Sequence, residues 1–184
     1  MIVLHIGVDT RAVARLQSEL ATKRGQLAAK GVLFPRSPGN ENHTRLFMAV
    51  SDPDHVDTLR DNRGFADPAR QARLREDVAA GLGKEIAAQR PETLLLSAVQ
   101  LGQGLARRSE LELQRDMLGG LSDDIRVVAH LEAPASLLAR HYAAQVLEGR
   151  ATGLEVELGL GPDWWDEALA ATPAADPAAG IFAE

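Results

Sequence analysis

Among the side chains that titrate near neutral pH, His43 is the candidate general base. Its imidazole has the intrinsic pKa for that work, and it lies in a polar loop. A surface-loop histidine without a chemical role is the plainer alternative. His5 and His130 each end a predicted strand, and residues at carboxyl ends of strands can touch a ligand; for both, a hydrogen-bonded histidine inside the fold is the simpler reading. Arg11 and Arg15 open the first predicted helix and could hold an anion, although arginine at that end opposes the helix dipole. Solvated surface charge is the other reading. The acidic groups Asp52, Asp54 and Asp57, and Asp163, Asp166 and Glu167, lack the glycine and terminal glutamate of a calcium loop. They read as solvated loops, and no metal is expected. For Trp164 and Trp165 packing is the default, with sugar stacking or a partner-facing patch as alternatives.

The first seventeen residues, MIVLHIGVDTRAVARLQ, are the stretch that must position such groups. An apolar run from Ile2 to Ile6 breaks at Gly7, and a helical pattern follows from Arg11 with Val13, Leu16 and Leu20 on one face. Strand, tight turn and helix in this order place unpaired N–H groups and a positive dipole end at the strand's carboxyl end, where an anion is the natural guest. A working phosphate loop would add a glycine-rich turn and a lysine, and the turn VDTRA has neither.

The rest of the chain supplies the scaffold. Helical periodicity over residues 11–30 ends at Gly31, and a short β-rich stretch, residues 32–35, runs into the turn Ser-Pro-Gly-Asn. Residues 40–66 are polar and punctuated, with one helical turn around Leu46 to Val50; a loop of this length is often functional or mobile. Asp67 as N-cap and Pro68 at the first helical position open a helix to about Gln89. An apolar run at 93–97 fits a buried parallel strand. A helix at 109–118, a strand at 125–131 and a helix at 134–148 follow, the arginines and acids of LARRSELELQRD pairing along an exposed face. Strands alternating with helices imply a three-layer α/β/α sandwich with a mostly parallel sheet. The expected domain spans residues 1–150, with 151–184 a loosely packed or incomplete extension rich in alanine, proline and acid.

Whole-chain properties exclude several classes. The chain has 184 residues, 45% hydrophobic and 25% charged, which fits a soluble globular protein. A net charge of −6 argues against a general nucleic-acid binder. With no cysteine, disulfides, thiolate zinc sites and cysteine nucleophiles are excluded, in keeping with a cytoplasmic location. The apolar start is too short for a signal peptide, and no run approaches the roughly 18 apolar residues of a membrane span.

Several segments, in order, resemble bacterial PAPS-dependent sulfotransferases. LHIG…LQ and the following GVLFP are similar to that family's H-I-G-x-x-K-T-G-S/T-S/T-x-L-Q and G-x-x-Y/F-P. Asn42-His43 resembles its N-H, LLLSAVQL its L-L-S-S-E-x-L strand, and RVVAHL…SLLARHYAAQVLEGR its V-x-V-Y-L-R-R…L-L-E-S-x-Y…G-R segment. The likeness covers about residues 2 to 150.

The resemblance implies a P-loop-type fold in which PAPS rests its phosphosulfate on the first turn, here Gly7, Val8, Asp9, Thr10, Arg11 and Ala12. It also implies His43 near a hydroxyl or amine acceptor, either a small molecule or a glycan. Departures are concentrated at the nucleotide. Thr10 stands where the family has its lysine, and Arg11, Ala12, Val13 and Ala14 replace T-G-S/T-S/T. Glu132 and Ala133 replace an arginine pair, Arg140 stands for a serine, and Val99, beside Gln100, for the strand's glutamate. Two readings stay open: a sulfotransferase in which Arg11 supplies the missing cation and Arg140 part of the 3′-phosphate contact, and an inactive relative that binds a protein partner. A kinase or nucleoside triphosphatase is a weaker third, lacking the loop lysine and a magnesium-binding hydroxyl.

Overall fold

A computed structural model describes residues 1–7, 11–131 and 133–147. The sheet at its centre has four parallel strands: β1 (Ile2–Gly7), β2 (Val32–Leu33), β3 (Thr93–Ala98) and β4 (Ile125–His130), in the order β2-β3-β1-β4. Parallel strands need crossover connections, and helices fill them. They are α1 (Arg11–Thr22), α2 (Arg24–Ala28), α3 (Thr44–Val50), α4 (Thr58–Asn62), α5 (Pro68–Gln89), α6 (Gln100–Gln103) and α7 (Arg108–Gly119), with α8 (Pro134–Leu147) after β4. The chain divides into two compact units, Met1–Glu132 and Ala133–Glu184, and α8 is the described part of the second.

Register gives the sheet two different faces. Leu4 lies opposite Leu96 and His5 opposite Ser97, and alternation sends the two pairs to opposite sides. Ile2, Leu4, Leu94, Leu96 and Ala98 join α3, α5 and α7 in one apolar core through Leu46, Met48, Leu74, Val78, Leu82 and Leu118. The other side carries His5 and Ser97 and meets α1 through Gln17. Val127 and Val128 of β4 both remain exposed.

Most elements coincide with those expected. Asp67 does cap α5, its carboxylate accepting the Arg70 N–H at 2.8 Å. That helix ends with Arg90 left-handed (φ 49) before Pro91. Gly31, at φ 73, closes the turn after α2. Three expectations need correction. The helix read over 11–30 is two helices meeting at Lys23, and its buried stripe is Val13 and Gln17, with Leu16 exposed. The polar stretch 40–66 holds two helices, one with Leu46, Phe47, Met48, Ala49 and Val50 all buried. Glu110, in the helix read as an exposed charged face, is buried and accepts the N–H groups of Asp52, Ala106 and Arg107 at 3.0, 2.8 and 2.9 Å.

The stretch 40–66 belongs to the core because long side chains reach back to satisfy its backbone. Gln71 Nε2 donates to the carbonyls of Met48 and Ser51, and Arg75 Nε to that of Ala49, completing the carboxyl end of α3. Fully buried Arg60 donates to the carbonyls of Asp52 (2.6 Å) and His55 (2.8 Å). Two of the acids read as solvated are anchors: Asp57 caps α4, and Asp52 accepts the Ser109 hydroxyl at 2.6 Å, while Asp54 is exposed as expected.

Packing around two glycines gives opposite expectations. A Cβ at Gly104 would lie 2.6 and 2.7 Å from the Cε2 and Cζ of buried Phe47, whereas one at Gly25, within α2, would meet nothing within 4 Å. Gly104→Ala is expected to cost about 1–3 kcal/mol by overpacking, and Gly25→Ala to add about 0.4–1 kcal/mol. Urea midpoints of the two variants check both; equal shifts would contradict this packing.

Candidate functional site

The polar residues on the α1 side converge at the carboxyl ends of β1 and β3. These are also the two strands whose onward connections diverge, β1 toward β2 and β3 toward β4, the place where open α/β sheets hold ligands. Ser97 is the hub. β2 pairs with β3 only at Thr93 and Leu94, so the later groups on that edge need another partner. His43 provides it: its N–H donates to the Ser97 carbonyl at 2.8 Å, and its Nδ1 accepts the Ser97 N–H at 3.0 Å. The Ser97 hydroxyl meets His5 Nδ1 at 2.8 Å and accepts from Gln17 Nε2 at 2.9 Å.

Asn42 extends the network. Its Oδ1 accepts from the Val99 N–H and from Gln17 Nε2, each at 3.1 Å, and its Nδ2 donates to Gln100 Oε1 at 2.9 Å and Thr44 Oγ1 at 3.0 Å. The Asn42-His43 pair thus ties the loop before α3 to β3, α6 and α1. Two buried imidazole nitrogens, His5 Nε2 and His43 Nε2, have no hydrogen-bond partner among the described residues.

His43 is fully buried and stacks on Phe34, ring centroids 4.7 Å apart and 30° between planes. Burial pushes its pKa down to about 4; the Pro35 carbonyl nearby pulls upward without reaching hydrogen-bond geometry, and Arg24 adds to the lowering. The ring is therefore neutral at pH 7. Because Nδ1 accepts a backbone N–H, the proton resides on Nε2, and no lone pair is free to take another in this arrangement. The residue expected as a base in an open loop is held as a structural partner of β3. His5 is also buried, its pKa lowered by burial and then by His130, whose ring stands edge-on at 6.2 Å.

Gly7 ends β1 beside His130, whose Cβ would lie 2.8 Å from a Cβ added there. That close approach requires glycine. Arg11 and Ala12 begin α1, Ala12 exposed; the Arg11 side chain lies outside the described residues, as do Val8, Asp9, Thr10 and Glu132. Arg140 falls on α8 in the second unit, and its side chain is likewise outside them. Trp164, Trp165 and the acids near them lie beyond the described chain.

Two concavities lie apart from this cluster. One, of about 340 Å³, opens on the apolar side between α7 and the sheet, lined by Leu4, Ile6, Leu111, Leu118 and Val127. The other, of about 270 Å³, is lined by Arg24, Phe34, Arg36 and Glu85. Glu85 accepts the N–H groups of Arg36 and Ser37, and Arg24 lies over the Phe34 ring and donates to the Phe34 carbonyl. Among the described residues no group of three His, Cys, Asp or Glu is arranged to hold a metal, and no helix is long and apolar enough to cross a membrane.

Sequence reading missed Gln17, Asn42, Ser97 and Gln100 as one network. Asn42, Ser97 and Gln100 fall in segments matched by the family resemblance, and Gln17 lies four residues after Val13, in the phase of the helix that faces the core.

The buried imidazoles set an acid limit on stability. Between pH 6.5 and about 4 the unfolded chain binds a proton that folded His43 refuses, so stability falls as pH falls through that interval. The slope from this residue approaches about 1.4 kcal/mol per pH unit, and His5 acts in the same direction. Urea unfolding across the interval measures it; a flat profile would contradict a neutral, buried His43.

A comparison with protein-family models gives no match, and neither the curated proteins nor the solved structures yield one.

Proposed function

We propose that this chain is a sulfotransferase-like protein of the three-layer, P-loop type that binds PAPS, or the bisphosphate left after transfer, at the β1-to-α1 turn. The supporting observation is the polar cluster on Ser97 at the diverging carboxyl ends of β1 and β3, directly before a twelve-residue helix. The parallel β2-β3-β1-β4 sheet is compatible with such a fold. Orphaned His5 Nε2, buried on the α1 side of the sheet, suits an oxyanion and would be costly with nothing to bond.

PAPS would supply the activated sulfuryl group; the chain's own residues would bind and orient. Gly7 allows the backbone to approach, the first N–H groups of α1 face the anion, and Arg11, with Val8, Asp9, Thr10 and Ala12 beside it, lends the charge that no loop lysine provides. Arg140 is the remaining candidate for the 3′-phosphate. The acceptor would be a small-molecule or glycan hydroxyl or amine.

One observation favours a second reading, a catalytically inactive binding or assembly module with a protein partner. The His43 lone pair is occupied by the Ser97 N–H, so the expected general base has no free site.

Calorimetric titration with adenosine 3′,5′-bisphosphate tests the nucleotide site. Micromolar binding that weakens roughly tenfold or more in Arg11→Ala is expected, the loss of a charged hydrogen bond. No binding by either form would overturn the nucleotide reading. Binding without sulfuryl transfer to phenols, amines or glycans would select the inactive module.

A further inference from the structure

The hydrogen-bond network leaves one proton position in it undetermined by sequence and determined by structure. Backbone N–H groups are donors without ambiguity, and the Val99 N–H points at the Asn42 side chain, so the atom it meets is the amide oxygen. The Gln17 atom facing that oxygen must then be its nitrogen. That nitrogen also donates to the Ser97 hydroxyl oxygen. With that donor in place, the acceptor offered to the Ser97 proton among the described residues is Nδ1 of His5 at 2.8 Å. Neutral His5 therefore keeps its own proton on Nε2. Four side chains in sequence, Asn42, Gln17, Ser97 and His5, carry the polarity of one backbone N–H to a buried imidazole.

The end of that relay is unfinished. His5 is 6% exposed, and its Nε2 has no partner. A buried donor without an acceptor is costly; among the described residues the network has two, His43 Nε2–H, on a ring stacked against Phe34, and His5 Nε2–H, at the carboxyl end of β1. Because Nδ1 is turned to β3, Nε2 faces away from it, toward the side of β4, where exposed His130 stands edge-on beside Gly7. Against the ring lie the Ser97 hydroxyl of β3 and His130 of β4, with Gln17 of α1 bonded to the same hydroxyl; none of the three is acidic. α1 packs on the same side of the sheet, and the first N–H groups of a helix have no partner within it. With no carboxylate beside it among the described residues, a neutral, oriented donor suits an acceptor of negative charge.

We propose that His5 is an oxyanion contact: its Nε2–H, fixed by the relay from Val99, donates to one oxygen of a tetrahedral phosphate or sulfate group at the carboxyl end of β1. This deepens the nucleotide reading and shares its location, but it assigns a contact from the strand where that reading relied on Arg11 and the turn. His5 binds as a directional donor, and Gln17, Asn42 and Ser97 are positioning residues that act through it.

Nitrogen-15 NMR of the histidine side chains in the intact protein, free and then titrated with adenosine 3′,5′-bisphosphate or inorganic phosphate, tests this. The free protein is expected to show His5 as the Nε2–H tautomer, and either probe to move that N–H signal saturably. His5→Phe, which removes the donor, is expected to weaken binding of the bisphosphate on the order of ten- to a hundredfold. Gln17→Leu, which cuts the relay and keeps the ring, is expected to weaken it less and to mix the two tautomers. If His5→Phe does not fold, the NMR titration of the native protein decides alone. An Nδ1–H tautomer in the free protein overturns the proposal. So does bisphosphate binding that leaves the His5 signal unmoved, which would mean the donor is satisfied by a trapped water and the nucleotide reading stands without it. If the bisphosphate does not bind but inorganic phosphate moves the His5 signal, the oxyanion contact stands and the nucleotide reading falls. If neither probe moves it, the contact is refuted.

Discussion

Ser97 carries the constraint on which the described carboxyl end of the sheet depends. It is the fifth residue of a six-residue strand whose outer neighbour covers only the first two. An N–H and a carbonyl left open there, in a position with no exposure to water, would each cost of the order of 1–3 kcal/mol. His43 closes that edge with one backbone and one side-chain bond, so a single residue does the work of a third rung. The same serine's hydroxyl joins β1 to α1 through His5 and Gln17. Three otherwise separate segments, the loop before α3, the first strand and the first helix, therefore share one anchor.

That anchor explains the asymmetry of the sheet. On one side, leucines from adjacent strands meet α3, α5 and α7 in a dry core, where burial of apolar area contributes the stabilisation. The other side gives up apolar burial at His5, Ser97 and Gln17 for a network of directional bonds, which fixes orientation rather than adding large stability. Such networks serve where geometry has to be held, at an edge or a ligand site. Here an edge is held at His43, and among the described residues an unpartnered Nε2 remains on both His43 and His5.

The same economy of long polar side chains organises the segment between β2 and α5. Gln71 and Arg75 complete the end of α3, Arg60 holds the turn between Asp52 and Phe65, and Glu110 collects three N–H groups. Burial works to raise the Glu110 pKa, and the three donors outweigh it and hold the carboxylate below its usual range. Each of these residues is charged or amide-bearing, yet Gln71, Arg60 and Glu110 are almost wholly buried. Their alkyl portions pack while their polar ends replace water for backbone groups.

Local features of the chain were enough to find β1, β3, α5, α7 and α8, because hydrophobic runs, an Asp-Pro start and glycine stops act within a few residues of themselves. The alternation of strands and helices likewise gave the parallel sheet. What it could not give was where a polar side chain would find its partner. Glu110 beside Arg108 and Glu112 looks like one more surface acid, and Asp52 and Asp57 look solvated, until Asp52 and Ala106 arrive with unpaired N–H groups and α4 with an end to cap. His43 reads as a loop histidine until the shortness of β2 leaves Ser97 without a neighbour. Sequence alone determined the strand and the helix at the amino end. Tertiary structure decided which histidine closes the edge of β3 and which meets the Ser97 hydroxyl, because that depends on hydrogen bonds between residues separated by 54 and 92 positions in the chain.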